Sequence, residues 1–340
     1  MADNTIGRGR AEVQITRSDL GRRVSVRRVA GFSDGRPVFA DVVGVLTSWD
    51  NGVLTVLDRH SLPQQIAENA LVAAKAVPPA PVRRGDRAVA AHLAVESAEL
   101  QRIAGRGWPG TETGRLGGWT MRAARGFTNR ANSVLPEGDP GLPLDQALDR
   151  VRDWYGGFGL PAVVQTDVEQ PLDAELAGRG WAPGASALFQ TAPLAPLVDD
   201  AAAGAAGVVL SREPGAGWLA RYRRVTDPAL APTALAVLTG GPSVWFATVP
   251  GAGGEAPAAI GRCAVDGRWA GLAALEVAPE HRRRGLATAV TAALARAAAD
   301  EGADLAYLQV EPENEPAIGL YERLGFRTHH RYHYRRQPGA

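Results

Sequence analysis

Residues 272–326 read LAALEVAPEHRRRGLATAVTAALARAAADEGADLAYLQVEPENEPAIGLYERLGF. The stretch begins as an apolar strand, continues through a basic turn that ends at Gly285, and then shows helical periodicity. The first N–H groups of a helix have no partner within the helix, and the helix dipole adds positive potential there. Arginines at 282–284, directly before such a helix start, therefore predict a site for a phosphate-bearing ligand.

The elements on either side of this turn follow from their residue patterns. After the turn, the apolar stripe of Val290, Leu294 and Ala297 predicts a helix. Gly302 stands where helices prefer a left-handed glycine at their end. The expected strands of this part of the chain are 208–210, 244–249, 258–265, 271–277 and 305–310.

Length and composition are those of an ordinary globular protein. At 340 residues the chain is long for one domain, so two or three units are expected. Hydrophobic residues make up 45% and charged residues 21%. The net charge of +1 argues against a protein that coats nucleic acid without specificity.

The cysteine count and the apolar runs bear on compartment and metal binding. A single cysteine, Cys263, excludes an internal disulfide and cannot by itself build a metal site. Residues 1–14 are polar, and no apolar run reaches the ~18 residues needed to span a bilayer. We therefore expect a soluble, cytoplasmic protein with neither a membrane segment nor a metal.

Residues 23–76 show the short alternating runs of a small β-domain. Asn51-Gly52 between two β-branched runs is a strong hairpin signal, because both residues tolerate the positive φ of tight turns. We expect a five-stranded barrel that closes near Leu71 and Val72. The unit resembles SH3-like or Tudor-like modules, which implies a possible peptide partner; the alternative is a docking or folding appendage.

Two breaks rich in proline or small residues divide the chain. The prolines of residues 77–82 favour an extended linker and cannot continue a sheet interior. A second break spans 191–206. Together they predict three units, 1–80, 81–198 and 199–340.

The second and third predicted units share a series of landmarks. Each has a Pro-Glu pair after a strand, a Gly-Leu step, a helix, a strand, a helix and a Gly-aromatic pair, at nearly constant spacing. We interpret this as a divergent tandem duplication. In the second unit, Gly138, Asp139 and Pro140 stand in place of the arginines. An acidic side chain repels phosphate and proline has no N–H to donate, so this copy is expected to lack the phosphate site.

The third unit resembles the GNAT superfamily of acyl-CoA-dependent N-acetyltransferases. The acetyl-CoA loop of that superfamily has the form Arg/Gln-x-x-Gly-x-Gly/Ala, which Arg282, Gly285 and Ala287 match. A later signature, Asn-x-x-Ala-x-x-Leu-Tyr-x-x-Leu-Gly-Phe, is matched at Asn314, Ala317, Leu320, Tyr321, Leu324, Gly325 and Phe326. The close match covers residues 272–326, and a looser match extends over the third unit.

This resemblance implies an α/β (α+β) fold class. A small N-terminal SH3-like β-barrel would precede two tandem GNAT-like mixed-sheet domains, the first of them degenerate. That order further resembles a bacterial subfamily described as histone-acetyltransferase-like. Acetyl-CoA is implied as the co-substrate, and the acceptor is an amine, either a small molecule or a protein amino group.

The residues expected to bind acetyl-CoA surround the basic turn. N–H and guanidinium groups there can face the pyrophosphate, and Gly285 permits close backbone approach. By resemblance, the amide of Val277 binds the thioester carbonyl and stabilises its oxyanion, while Asn314 contacts the pantetheine arm or helps to position the amine. The full set is Val277, Arg282, Arg283, Arg284, Gly285, Ala287, Thr288 and Asn314.

Two residues are candidates for proton transfer. The attacking amine must be neutral, and an alkyl ammonium has a pKa near ~10.4, so an acceptor must remove its proton. Glu276 is the preferred base, directly or through water. Tyr321 holds the position at which the family places the acid that protonates the leaving thiolate. The acetyl group is then expected to pass directly to the amine in a ternary complex.

Each of these roles has a structural alternative. Glu276 can be a polar strand residue paired across the sheet, and Tyr321 a packing residue with its hydroxyl at the surface. Asn314 can be a turn former only, and the arginines at 282–284 a solvated face. At the level of function, the alternative is a non-catalytic acyl-CoA-binding adaptor that recruits a partner through the SH3-like module.

Cys263 and the histidines of residues 329–333 are expected to be structural. Cys263 is interpreted as a buried small hydrophobe rather than a nucleophile that carries the acyl group. The histidines of residues 329–333 favour a half-exposed final strand over a metal site. In the second unit, Arg130 and Asn132 are expected to line the acceptor side of the cleft if the two halves pack as partners.

Overall fold

The computed structural model describes most of the chain. The described residues are 13–33, 35–50, 52–58, 63–77, 95–168, 170–198, 207–225, 227–251 and 256–339. The expected linker at 78–82 and the small-residue run at 201–206 lie outside them. Contacts divide the chain into two units, Met1–Arg87 and Ala88–Ala340.

The first unit consists of five antiparallel strands. They are β1 (Arg23–Ser33), β2 (Arg36–Asp50), β3 (Val53–Asp58), β4 (Pro63–Ala67) and β5 (Leu71–Ala76). Alternate side chains point inward, and Val24 and Val26 are fully buried. The predicted hairpin joins β2 to β3, where Asp50 pairs with Val53, while Asn51 itself lies outside the described residues.

The sheet of the first unit is open, so the predicted closed barrel is not confirmed. Its strand order is β4-β3-β2-β1-β5, and in the part of this unit that is described no pairing joins β4 to β5. A short 3-10 turn, Glu68–Ala70, carries the chain to the opposite edge, where β5 pairs with β1. A peptide partner for this unit stays a prediction.

The second unit combines strands and helices. Its strands are β6 (Glu112–Leu116), β7 (Trp119–Ala123), β8 (Leu135–Pro136), β9 (Val163–Asp167), β10 (Ala182–Pro193), β11 (Val209–Ser211), β12 (Ser243–Val249), β13 (Ala259–Asp266), β14 (Trp269–Val277), β15 (Leu305–Val310) and β16 (Arg327–Arg336). Its helices are α1 (Ser97–Gly107), α2 (Leu144–Gly156), α3 (Pro171–Gly178), α4 (Ala195–Val198), α5 (Ala216–Arg221), α6 (Ala231–Thr239), α7 (Leu286–Asp300) and α8 (Glu315–Arg323).

One sheet of eight strands runs through the second unit. The order is β11-β12-β13-β14-β15-β10-β16-β9, and a separate sheet contains β6, β7 and β8. The two predicted units of this sheet, 81–198 and 199–340, are here called the first and second halves. The final strand of each half pairs with a strand of the other half, since β10 lies beside β15 and β16 lies beside β9. The fold is mixed α/β, as predicted. The predicted boundary near residue 198 divides strands that share this sheet, and the three-unit division stays a prediction.

Helix α7 packs on the sheet through the apolar stripe predicted from the sequence. Val290 is fully buried and Leu294 is nearly so. A Cβ at Gly261 on β13 would lie 2.5 Å from Cγ1 of Val290, so glycine is required for this close approach. The helix ends at Asp300, and Gly302 follows with φ of 95°, as predicted. This packing fixes the start of α7 beside the end of β14.

Candidate functional site

A cleft opens where β14 and β15 diverge. Their last register pair is Leu272 with Leu308. Beyond it, two residues of β14, Ala274 and Leu275, lie opposite the single residue Gly261 of β13. This arrangement is a β-bulge in β14. The bulge, in which Ala274 has φ of 52°, turns the end of β14 away from β15.

The backbone of Val277 faces this cleft. The N–H of Ala278 donates to the carbonyl of Ala258 at 2.9 Å. Antiparallel ladders alternate, so the N–H and C=O groups of Val277 point away from β13. On that side, Nε of Arg282 lies 3.5 Å from the Val277 carbonyl oxygen. The role of the Val277 amide toward a thioester stays a prediction.

The basic turn between β14 and α7 contains two left-handed residues. Arg283 has φ of 64° and Gly285 has φ of 79°. For an arginine this conformation costs about 1–2 kcal/mol. Gly285 directly precedes α7 and offers no side-chain cap to its first N–H groups. A Cβ at Gly285 would meet no atom within 4 Å, so space is open above the helix start.

The turn arginines are free to meet an anion. Arg282, Arg283 and Arg284 are exposed. Their described polar contacts are to the Val277 carbonyl and, at 3.0 Å, to Nδ1 of His281, and none of the three forms an ion pair within the described part of the chain. Exposed guanidinium groups beside uncapped helix N–H groups fit the pyrophosphate of coenzyme A.

Two cavities meet in the cleft. One, here called the turn cavity, has a volume of about 410 Å³ and reaches the basic turn at Arg282 and Ala287. The other, here called the loop cavity, has a volume of about 520 Å³ and reaches Arg130 in the first sequence half. Both cavities are lined by Leu275, Glu276, Asn314, Ala317 and Tyr321.

The structure brings most of the predicted site residues to these cavities. The turn cavity is lined by six of them, Glu276, Val277, Arg282, Ala287, Asn314 and Tyr321. The other four do not line it, and they occupy the turn and the first turn of α7 beside it: Arg283, Arg284, Gly285 and Thr288. Their individual roles stay predictions.

Glu276 is half-buried where the two cavities join. Its Oε1 accepts a hydrogen bond from the N–H of Arg223 at 3.2 Å. Burial raises the pKa of Glu276, and the Arg223 hydrogen bond partly offsets that rise. A carboxylate that is partly desolvated in this way is a stronger proton acceptor than one in water.

Tyr321 and Asn314 lie on and before α8. The ring of Tyr321 packs edge-on against Phe326 with centroids 5.7 Å apart, and burial raises its pKa to about 12. Its phenol is therefore protonated at neutral pH. The side chain of Asn314 accepts from the N–H of Ala317 at 3.3 Å and caps α8. Asn314 therefore has the turn-forming role that was given above as the structural alternative.

A strained loop forms part of the wall of the loop cavity. Arg125 and Thr128 have φ of 49° and 58°. Asn132 holds the loop, because its Oδ1 accepts two backbone N–H groups at 2.7 and 3.0 Å and its Nδ2 donates to two carbonyls at 2.9 and 2.8 Å. The expectation that Asn132 lines the cleft is wrong, because its side chain is buried and turned to the loop backbone. Arg130 does line the loop cavity, as expected.

Several residues of the loop cavity were not predicted from the sequence. Tyr222, Arg224 and Gln309 stand in segments without a motif. The predicted final strand is half-exposed over its length, but the rings of Tyr332 and Tyr334 at its centre are buried.

The cysteine and the histidines have structural surroundings. Cys263 is fully buried as predicted, and burial raises its pKa to about 12. Nε2 of His333 contacts Oδ1 of Asp173. His330 lies 3.7 Å from Asp167 and is held near a pKa of about 4, mainly by burial. Within the described residues, no three His, Cys, Asp or Glu side chains are grouped to hold a metal ion.

The turn at residues 138–141, which the predicted duplication matches with the basic turn, is hydrogen-bonded within its own chain. Oδ1 of Asp139 accepts from the N–H of Gly141 at 2.7 Å. The carbonyl of Asp139 accepts from Gly118 N–H, and that of Gly138 from Nε1 of Trp119. A Cβ at Gly117 would lie 2.4 Å from the Pro140 carbonyl carbon, so the hairpin packs directly on the turn.

Comparisons with known sequences give consistent matches. The family described as "Probable histone acetyltransferase Rv0428c C-terminal" matches residues 95–335. The Mycobacterium tuberculosis protein named "Probable histone acetyltransferase Rv0428c" is 31% identical over 93% of this chain and 94% of its own length. "Uncharacterized N-acetyltransferase YobR" of Bacillus subtilis is 28% identical over 70% of this chain and 97% of its own length.

Solved structures share the fold at lower identity. A GCN5-related N-acetyltransferase from Kribbella flavida has a TM-score of 0.51 at 19% identity, over 76% of this chain and 98% of its own. A tandem GNAT protein from the clavulanic acid biosynthesis pathway has a TM-score of 0.50 at 15% identity, over 74% of this chain and 91% of its own. Across the described residues, no helix is both long enough and apolar enough to span a membrane.

Proposed function

The chain belongs to the GNAT family of N-acetyltransferases and is an acyl-CoA-dependent enzyme, and on this premise we propose that it passes an acetyl group from acetyl-CoA directly to an amine in a ternary complex. The observation that carries the proposal is that the turn cavity and the loop cavity share Glu276, Asn314 and Tyr321. A donor that enters from the turn and an acceptor that enters from the loop then meet at the same side chains. Holding both reactants in contact supplies much of the rate gain in such a reaction.

In the proposed mechanism, Glu276 takes a proton from the ammonium group, and the neutral nitrogen attacks the thioester carbon. The C–N bond forms as the carbonyl oxygen becomes an oxyanion, which the Val277 N–H stabilises. The C–S bond then breaks as the carbonyl re-forms, and Tyr321 gives its proton to the thiolate. The nitrogen passes its remaining extra proton to the phenolate of Tyr321, directly or through water, which leaves a neutral amide and restores the phenol. A covalent acyl-cysteine route is not supported, because Cys263 is buried and lines neither cavity.

The test of the proposal is calorimetry with acetyl-CoA followed by a thiol-release assay with a broad panel of amines. Binding with turnover of at least one amine is expected. Binding without turnover across the panel would favour the adaptor alternative, in which the chain only senses acyl-CoA. A wild-type chain that does not bind acetyl-CoA would contradict both.

Replacing Arg283 and Arg284 together by glutamine should weaken acetyl-CoA binding by about 10-fold or more, because charge-assisted contacts to phosphate are lost. The slope of affinity against salt concentration should also become shallower. Calorimetry at two ionic strengths measures both. The matched control removes two exposed arginines that line neither cavity, Arg115 and Arg150, and should leave affinity unchanged.

One acetyl-CoA should bind per chain. In the turn at residues 138–141 the N–H of Gly141 already donates to Asp139, Pro140 has no N–H, and the Asp139 carboxylate repels phosphate, so this turn is expected to bind none. The stoichiometry of a calorimetric titration measures this directly. A value of two would mean that the first half has kept a working site.

A further inference from the structure

Arg130 is a positioned cation that has no acidic partner among the residues the structure describes. Its guanidinium lies 4.2 Å from the ring centroid of Trp108, and its Nη1 donates to Oε1 of Gln309 at 3.1 Å. Trp108 is buried and donates from Nε1 to Thr128 at 3.0 Å. Among the described residues Arg130 forms no ion pair. The stacking and the neutral glutamine contact hold the guanidinium in place and leave its charge unmatched.

The other charges of the loop cavity already have partners. Arg224 pairs with Glu311 at 3.1 Å. Glu276 accepts from the N–H of Arg223, and its pKa is raised by burial. Of the described residues that line this cavity, Arg130 is therefore the cation left to meet a ligand.

The charge of Arg130 acts on much of the loop cavity wall. Burial raises the pKa values of Tyr222, Tyr332 and Tyr334, and the positive charge of Arg130 partly offsets each rise. All three phenols line the loop cavity. A second cation, Arg262, has its guanidinium carbon 5.0 Å from the centroid of the same Trp108 ring. Its N–H groups donate to the carbonyls of residues 238 and 240.

From these contacts we infer that the acceptor is a small amine that also carries a carboxylate, and that Arg130 binds the carboxylate while the amine lies at Glu276 and Tyr321. The placement of the amine at Glu276 and Tyr321 rests on the proposed function. Guanidinium and carboxylate form charge-assisted hydrogen bonds with matched geometry. The loop that carries Arg130 is held by Asn132, so the cation is positioned before the acceptor arrives.

Two other acceptor chemistries fit the charges less well. A lysine-rich peptide tail brings several positive charges toward Arg130 and Arg224, and like charges repel. A phosphate monoester carries close to two negative charges, whereas the cavity offers it a single unpaired arginine. One carboxylate matches one arginine.

The inference can be tested on the full chain saturated with coenzyme A. Calorimetry would compare amines that differ only in the carboxylate: β-alanine with propylamine, and a series of L-amino acids with their amides. Phosphoethanolamine and a lysine-rich peptide complete the panel. We expect at least one carboxylate amine to bind about 10- to 100-fold more tightly than its uncharged counterpart, which is the range for a hydrogen bond to a charged group.

Arg130→Gln should remove this preference and leave the Kd for acetyl-CoA unchanged. Arg130→Lys keeps the charge without the planar fork and should retain part of the preference. The matched control is Arg152→Gln, since Arg152 is also stacked on a tryptophan, 5.4 Å from the Trp181 centroid, but lines neither cavity. Unfolding temperatures of all three variants check the fold.

Several outcomes would overturn the inference. They are equal binding of acids and amides, no binding of any carboxylate amine, a preference that survives in Arg130→Gln, and preferential binding of phosphoethanolamine or of the cationic peptide. Binding is read without turnover, so the outcome for Arg130 is separate from the outcome for acetyl transfer. Carboxylate-selective binding in a chain that transfers no acetyl group would contradict the proposed function and support the Arg130 site.

Discussion

Tyr321→Phe should lower kcat by about 100-fold or more while the Kd for acetyl-CoA stays nearly the same, because general acid catalysis typically contributes 10²- to 10⁴-fold. The ring that packs on Phe326 is kept, and only the hydroxyl is lost. With a pKa raised to about 12, the phenol is protonated at neutral pH and is still a stronger acid than water. Steady-state thiol release and calorimetry measure the two quantities.

The matched control is Tyr155→Phe, which also removes one buried hydroxyl. Tyr155 donates to the carbonyl of Arg122 at 2.8 Å in the core of the first half and lines neither cavity. Its loss should lower the unfolding temperature and leave kcat unchanged. An unaffected kcat in Tyr321→Phe would reject the general-acid role and leave Tyr321 as a packing residue.

Glu276→Gln should lower kcat/KM by about 100-fold or more, since glutamine cannot take the proton of the amine. Glutamine can still accept from the N–H of Arg223 through its Oε1, so the local hydrogen bond is preserved. In the wild type, activity should fall as pH drops through the raised pKa of Glu276, above the value of about 4.3 for a free glutamate side chain. The measurement is the pH profile of kcat/KM for both proteins.

The same substitution should raise stability. Burial raises the folded-state pKa of Glu276, so between the unfolded and folded values the folded state binds more protons, and its stability falls as pH rises. The loss of stability is complete above the folded-state pKa of Glu276. It is absent below about pH 4, where Glu276 is protonated in both the folded and the unfolded state. Glu276→Gln removes this penalty, so its unfolding temperature should exceed that of the wild type at neutral pH and match it in acid.

Glu301→Gln is the matched control for that stability change, with the opposite sign. Burial alone favours a higher pKa, but hydrogen bonds from Ser243, Arg212 and Trp245 outweigh it and lower the pKa of Glu301. A lowered pKa contributes stability at neutral pH, so this variant should unfold at a lower temperature with kcat unchanged. If Glu276→Gln instead destabilises the protein, Glu276 is a structural strand residue.

The part of the chain around the basic turn was predictable because its signals are local. The stripe of Val290 and Leu294 follows helical spacing, and Gly302 ends the helix through its own backbone preference. The arginines and Gly285 are adjacent in sequence, so the basic turn could be recognised without knowledge of the sheet. The same locality explains the five strands of the first unit.

The loop cavity was largely beyond prediction because long-range pairing builds it. Tyr332 and Tyr334 enter it only because β16 inserts between β10 and β9. Asn132 was assigned to the cleft from its position in a polar run, and its four backbone hydrogen bonds cannot be read from one sequence. The β-bulge at Ala274 depends on its partner Gly261, which lies on another strand.

The self-occupied turn at Asp139 has a consequence for how such enzymes diversify. The N–H of Gly141 is taken by the Asp139 carboxylate, and under the proposed function this turn binds no phosphate and carries no constraint from nucleotide recognition. Under the proposed mechanism, natural variation in residues 125–130 can change which amine is accepted while the arginines of the other half keep the donor. Under that mechanism, substitutions around Arg130 can alter acceptor preference while the basic turn keeps donor binding.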